Sequence, residues 1–211
     1  MSESTGEAAR VTFAWGRIEA WLSEHAPGSY RSLRAPAREG EIAAAEAEMG
    51  IVLPEGLKAL LRLRDGAEGF EVEGDDEGEV RPEQFLDGYA LMSLEAIVGT
   101  HSRYADPEVS RNEPGIEWCV PWAATDDRWS TLTVDAVDGP GRGQVGAFSW
   151  GGGFRRGGSP SVAHYLDTVA DALAAGTGME GGLVPGIALG CLQWQDPGNP
   201  IITETEWVPL S

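Results

Sequence analysis

The residues of this chain best equipped for chemistry are three histidines, two cysteines and scattered carboxylates. His25, His101 and His164 lie far apart, and none sits in an HExxH or CxxC-type arrangement that would hold a metal. His164 and Asp167 share a helix face, a spacing at which a carboxylate can orient an imidazole for nucleophilic catalysis. No nucleophile is placed beside them, and Ser161 reads more simply as part of a helix start. Cys119 and Cys191 stand in apolar, strand-like settings without a CxxC motif, so both are expected to be unpaired and inert. Asp126, Asp127, Asp135 and Asp138 gather in one region but do not follow the Asp-x-Asp-x-Asp-Gly order of a calcium loop. They read as turn and strand-end acids. The stretch "GGGFRRGG", Gly151 to Gly158, carries two arginines that could meet a phosphate, but it lacks the Gly-Lys-Ser/Thr of a P-loop. It is read as a flexible connector. The expectation is therefore no catalytic residue, no cofactor and no metal.

The charge balance is less ordinary. Thirty-four acids face fifteen bases, a formal net charge of −19. That disfavours nucleic acid and an anionic membrane as partners. It favours a basic protein, because complementary potential steers encounter. Between Glu68 and Asp87, nine acids stand against Arg81 alone. Glu68, Glu71, Glu73, Asp75, Asp76, Glu77 and Glu79 are the candidate partner-binding residues of this stretch. A solvated face that only confers solubility is the other reading. The start "MSESTGEAAR" has no secretory pattern, and no apolar run approaches the ~20 residues that span a membrane. A cytoplasmic location with reduced thiols is expected.

The elements that must position these groups follow from periodicity. The chain has 211 residues, 42% of them apolar, enough for one domain with its own core. Residues 1–10 read as a disordered lead. Val11, Ala14, Trp15, Ile18 and Leu22 then form a helical stripe. Ile42, Ala45 and Met49 mark a second helix, with Glu46 and Glu48 facing outward. It stops at Gly50, which suits a left-handed cap. Leu53 is pushed out of helical geometry by Pro54, and Pro54 suits the first position of the next helix. Ile51 and Leu53 are expected to plug this corner. Leu57, Leu60 and Leu61 continue to Asp65-Gly66. The acidic stretch 67–88 reads as an exposed loop. A strand at Tyr89–Met92, a helix capped by Ser93, and strands in "EWCVPWAA", "WSTLTVDAV" and "QVGAFSW" follow. Trp118, Trp122, Trp129 and Trp150 are expected to fill the core between sheet and helices. A helix striped by Val162, Leu166, Val169 and Leu173 ends at Gly176. The extension 177–211 offers two more strands, "IALGCLQW" and "ITETEWVP". Helices, strands, a helix and strands in that order define an α+β fold, an antiparallel sheet packed with helices.

This order resembles the SUKH superfamily in its Smi/Knr branch. "WGRIEAWL" is similar to the family's opening helix. "PAREGEIAAAEAEMGIVLPEGLKALLRLRDG" resembles its most recognisable stretch, with Gly50, Leu53, Pro54, Asp65 and Gly66 as structural landmarks. "YALMSLEAIV", "WCVPWAA", "LTVDAVDGPGRGQVGAF" and "SVAHYLDTVADALAAG" carry the rest, over about Val11 to Gly176. The resemblance implies a non-enzymatic α+β domain. Bacterial members resemble immunity proteins that neutralise toxic enzymes, and fungal members regulate cell-wall synthesis through protein contacts. An immunity-type protein with a basic toxin domain as partner is the reading that combines family and charge. A regulatory or scaffold protein of the same fold is the alternative.

Overall fold

The computed structural model describes residues 2–125, 128–179, 181–202 and 206–210, with the side chains of 2–5 set aside. Four helices come first: α1 (Ser2–His25), α2 (Pro27–Ser32), α3 (Glu39–Met49) and α4 (Glu55–Leu61). After the acidic stretch come β1 (Ala90–Leu91), α5 (Leu94–Tyr104) and α6 (Pro107–Asn112). The strands β2 (Cys119–Ala124), β3 (Ser130–Asp135), β4 (Val145–Ser149) and β5 (Gly153–Ser159) precede α7 (Val162–Ala175). The chain closes with β6 (Val184–Ala188), β7 (Cys191–Gln195) and β8 (Val208–Pro209). The first five strands form one antiparallel sheet in sequence order, and β7-β6-β8 form a second. The fold is α+β, as its element order implies.

The helical stripe of α1 is fully interior: Val11, Ala14, Ile18 and Leu22 have no exposed surface. It packs on α4 and on the Val162, Leu166, Val169 and Leu173 stripe of α7. Arg17 staples the two long helices by pairing with Asp167 and Asp171 of α7. Residues 2–10 of the lead read as disordered belong to α1, and Met1 lies outside the described residues. Glu7 accepts from the Ala163 N–H at the start of α7, and Arg10 reaches Ser161 Oγ at 3.2 Å. These contacts tie Glu7 and Arg10 to a distant helix, and they leave no trace in local sequence.

The corner forms as its residues imply. Gly50 caps α3 at φ 67°, and Ile51 and Leu53 are buried. Two details differ. Pro54 stands at the N-cap of α4 and not at its first turn. Glu46 does not face outward: its Oε1 accepts from the Leu53 N–H at 2.8 Å and lies 3.5 Å from Lys58 Nζ. A half-buried carboxylate thus satisfies the backbone of the bend, which would otherwise lose a hydrogen bond on leaving α3. Asp65 makes the next joint by accepting from the Leu94 N–H that opens α5. Gly66 has φ 85°, and a Cβ there would lie 2.6 Å from the Ser93 nitrogen, so no side chain fits.

Ser93 caps α5 and Ser161 caps α7, each accepting a main-chain N–H from within the first turn. The strand expected at Tyr89–Met92 is shorter, only Ala90–Leu91. β2 carries a bulge between Pro121 and Ala123, which turns Trp122 into the core against Tyr165, edge to face at 5.5 Å.

Three strand-region expectations are corrected. "GGGFRRGG" is not a connector: its residues supply β5, the sheet's edge, which Glu113 anchors by accepting from the Phe154 N–H. "IALGCLQW" is not one strand. It bends at Leu189 and Gly190, both at positive φ, so that β6 and β7 form a hairpin. Three of the four meander tryptophans are not core. Trp122 is 1% exposed, whereas Trp118, Trp129 and Trp150 are 52%, 54% and 42% exposed. They flank strand ends, where inward-outward alternation no longer applies.

Candidate functional site

The seven acids singled out above, Glu68 to Glu79, lie in a segment whose core anchors are apolar. Val72 and Val80 pack with Ala188, Cys191 and Ile202 in a second hydrophobic cluster under the β6-β7-β8 sheet. Phe70 lies beneath the Arg31 guanidinium, 3.9 Å from ring centre to carbon. The C-terminal extension is therefore the platform on which the acidic segment sits. Turns close at Val72–Asp75 and Asp75–Gly78, with Gly74 and Gly78 at positive φ. Over these residues the segment forms no helix or strand and is a braced lobe.

The acids differ in role. Glu71, Glu73, Asp76 and Glu77 are exposed. Glu68 is exposed and lies 3.2 Å from Arg34. Asp75 is half-buried, and its two oxygens accept from the Glu79 and Val80 N–H groups at 3.0 and 2.8 Å. It staples the lobe and is poorly placed to meet a partner. Glu79 is also half-buried. Beyond Val80 the chain turns inward: Glu83 is buried and Phe85 and Leu86 have no exposure, so the acidic stretch is exposed over its first part only. No periodic signal marks Phe85-Leu86 as core, because the segment forms no helix or strand.

The other candidate groups have structural roles. His101 is buried, its Nε2 3.1 Å from the Glu117 carbonyl, and burial pulls its pKa below the usual histidine value. Asp167 turns to Arg17, so it does not orient His164, and Ser161 caps α7. Cys119 and Cys191 are free and buried, and burial pushes their thiols up to about 12 and about 11. Protonated, enclosed thiols are poor nucleophiles. Asp135 accepts from the Val137 N–H and pairs with Arg156, while Asp126 and Asp127 lie outside the described residues. Among the described residues no group of three or more His, Cys, Asp or Glu could hold a metal ion, and no helix is long and apolar enough to cross a membrane. Trp129 and Trp150 stand side by side at one end of β3 and β4, where the Trp150 N–H donates to the Trp129 carbonyl.

The meander, its supporting helices and the acidic lobe define an α+β domain with chemically distinct surfaces. The chain belongs to the SMI1 / KNR4 family (SUKH-1), whose sequence profile matches residues 36–170. The match begins after α1, so the similarity read over "WGRIEAWL" lies beyond it. A KNR4/SMI1 homolog of Eremothecium gossypii is 35% identical over 134 residues, 63% of this chain and 20% of that protein. The cell wall assembly regulator SMI1 of Saccharomyces cerevisiae is 29% identical over 97 residues, 46% of this chain and 18% of that protein. The match thus spans about a fifth of the length of each curated relative.

Proposed function

We propose that this chain is a non-enzymatic protein-binding domain of immunity type, which neutralises a toxic enzyme in the cytoplasm by direct contact. The observation that carries the reading is the braced acidic lobe. Glu71, Glu73, Asp76 and Glu77 face water, while Val72, Val80 and Asp75 hold the segment in place. A held loop loses little entropy on docking. Its charge attracts a basic surface and repels nucleic acid and anionic lipid. The partner is thus a protein with a basic face, and binding needs no cofactor.

A regulatory or scaffold role without a toxin is the second reading, and the name of the yeast relative, a cell wall assembly regulator, favours it. One experiment separates the two. The immobilised chain captures its partner at low salt from extract of the source cells and their close competitors. The partner is then expressed alone and with this chain. Growth arrest relieved by co-expression is the immunity outcome. A harmless partner that binds supports regulation. Absence of any specific protein partner contradicts both.

A further inference from the structure

A cleft of about 590 Å³ opens between α7 and strands β4 and β5, and none of the acids from Glu68 to Glu79 lines it. This is within the range of small-ligand sites. Leu132, Val145 and Met179 supply apolar wall, and Tyr165 and Asp87 also line it. The Asp87 carboxylate is the unusual member. Its Oδ1 is buried and has no hydrogen-bond partner among the described residues. No ion pair among them reaches it either. Burying a carboxylate without a partner is costly, and native structures satisfy nearly all such groups.

Local geometry explains only half of this. Asp87 and Gly88 are the two central residues of a tight turn in which Leu86 and Tyr89 exchange both backbone hydrogen bonds. Both have positive φ, 52° and 83°. Asp-Gly suits such a turn, as does Asn-Gly. The turn therefore accounts for the backbone of Asp87. It does not account for a carboxylate, rather than an amide, lining a cleft whose wall is in part apolar.

We propose that this cleft binds an organic cation, a guanidinium or primary ammonium on an apolar stem, with Asp87 as its counter-ion. The stem would lie on the apolar wall, and the head would supply the charge-assisted hydrogen bonds that Oδ1 lacks. The basic groups nearby do not replace such a ligand. Arg156 is engaged with Asp135 and the Gly115 carbonyl, and Arg155 lines the cleft but is exposed to water, which screens it. His164 is exposed on α7, and among the described residues Tyr89 and Tyr165 are the other titratable neighbours. The site is independent of the protein-binding reading, since it shares no residue with the exposed acids of the lobe.

The test is an NMR titration of the labelled chain with n-butylguanidinium at pH 7.5, with n-butyrate as the opposite charge. Saturable shifts are expected at Gly158, Thr168 and Gly181, which line the cleft. Asp87→Asn should weaken them at least tenfold, and wild type should lose them on acidification below pH 5. Asparagine suits the same turn, and the pH series on wild type needs no variant. Acetyl-Gly-Arg-Gly-amide distinguishes sources: tighter binding than n-butylguanidinium points to an arginine of another protein, and weaker binding to a free small molecule. Diffuse or unsaturable shifts, equal binding by Asp87→Asn, or preference for n-butyrate would overturn the proposal.

Discussion

The side-chain amide of Gln193 pairs with the backbone of Arg81 as a neighbouring strand would. Its Oε1 accepts from the Arg81 N–H at 3.2 Å, and its Nε2 donates to the Arg81 carbonyl at 2.8 Å. Gln193 is buried in β7, so one residue of the C-terminal sheet closes the base of the acidic lobe. Gln193→Ala leaves both Arg81 groups without this partner. Loss of a buried hydrogen-bond partner costs about 1–3 kcal/mol. Amide exchange at Glu79, Val80 and Arg81 should accelerate, while exchange in α1 and α7 responds only to the global loss. Unchanged protection at those three amides would show that the lobe is held by other means.

Leu53 fills the corner between α3 and α4 with 1% of its surface exposed. Leu53→Ala should cost roughly 2–5 kcal/mol, the range for emptying a packed leucine site. Glu46→Ala should also destabilise, because the Leu53 N–H then loses its acceptor. Chemical denaturation of both variants reads this directly. A stability within error of wild type for Leu53→Ala would refute the plug.

Cys119 and Cys191 should resist alkylation in the folded protein and react promptly once it is unfolded. Burial raises both thiols well above neutrality, so the thiolate is scarce at pH 7. Mass spectrometry of freshly alkylated protein should show two separate free thiols. A Cys119–Cys191 cross-link would contradict this.

Asp87 links stability to pH with an unusual sign. Burial pushes its carboxyl up to about 6 in the folded state, above an ordinary value near 4. Between those values the folded chain holds more protons than the unfolded one. The Asp87 contribution to stability therefore declines as pH rises from about 4 to about 6, opposite to a salt-bridged carboxylate. Asp87→Asn should remove that decline and stabilise the protein at pH 7. Denaturation of both proteins at pH 4.5 and 7 tests it, and identical pH differences would remove the claim.

What was legible in the sequence was what local periodicity and caps encode. The α1 and α7 stripes, the Gly50 cap, the buried Leu53, and the Ser93 and Ser161 caps follow from spacing alone. β5 escaped because an exposed glycine-rich edge strand has no buried face to produce alternation. The β6–β7 hairpin turns at Leu189, a residue with no local signal for positive φ. Tryptophan content suggested core, but Trp118, Trp129 and Trp150 flank strand ends, and composition does not say which way a ring points. In the acidic stretch the charges were legible and the brace was not. Asp75 looks like its neighbours in sequence, and only its bonds to the Glu79 and Val80 amides set it apart.

That distinction sets the most direct test of the protein-binding account. Glu71, Glu73, Asp76 and Glu77 are replaced by their amides, with Asp75 left to hold the lobe. The association and dissociation rates of the captured partner are followed from 0.1 to 1 M salt, over which the Debye length falls from ~10 Å to ~3 Å. If the lobe steers docking, the variant associates more slowly at low salt, shows a flatter salt dependence, and dissociates at nearly the wild-type rate. Equal association rates and equal salt slopes would contradict the account and move the binding surface elsewhere, with the exposed Trp129–Trp150 end of the sheet as the next place to look.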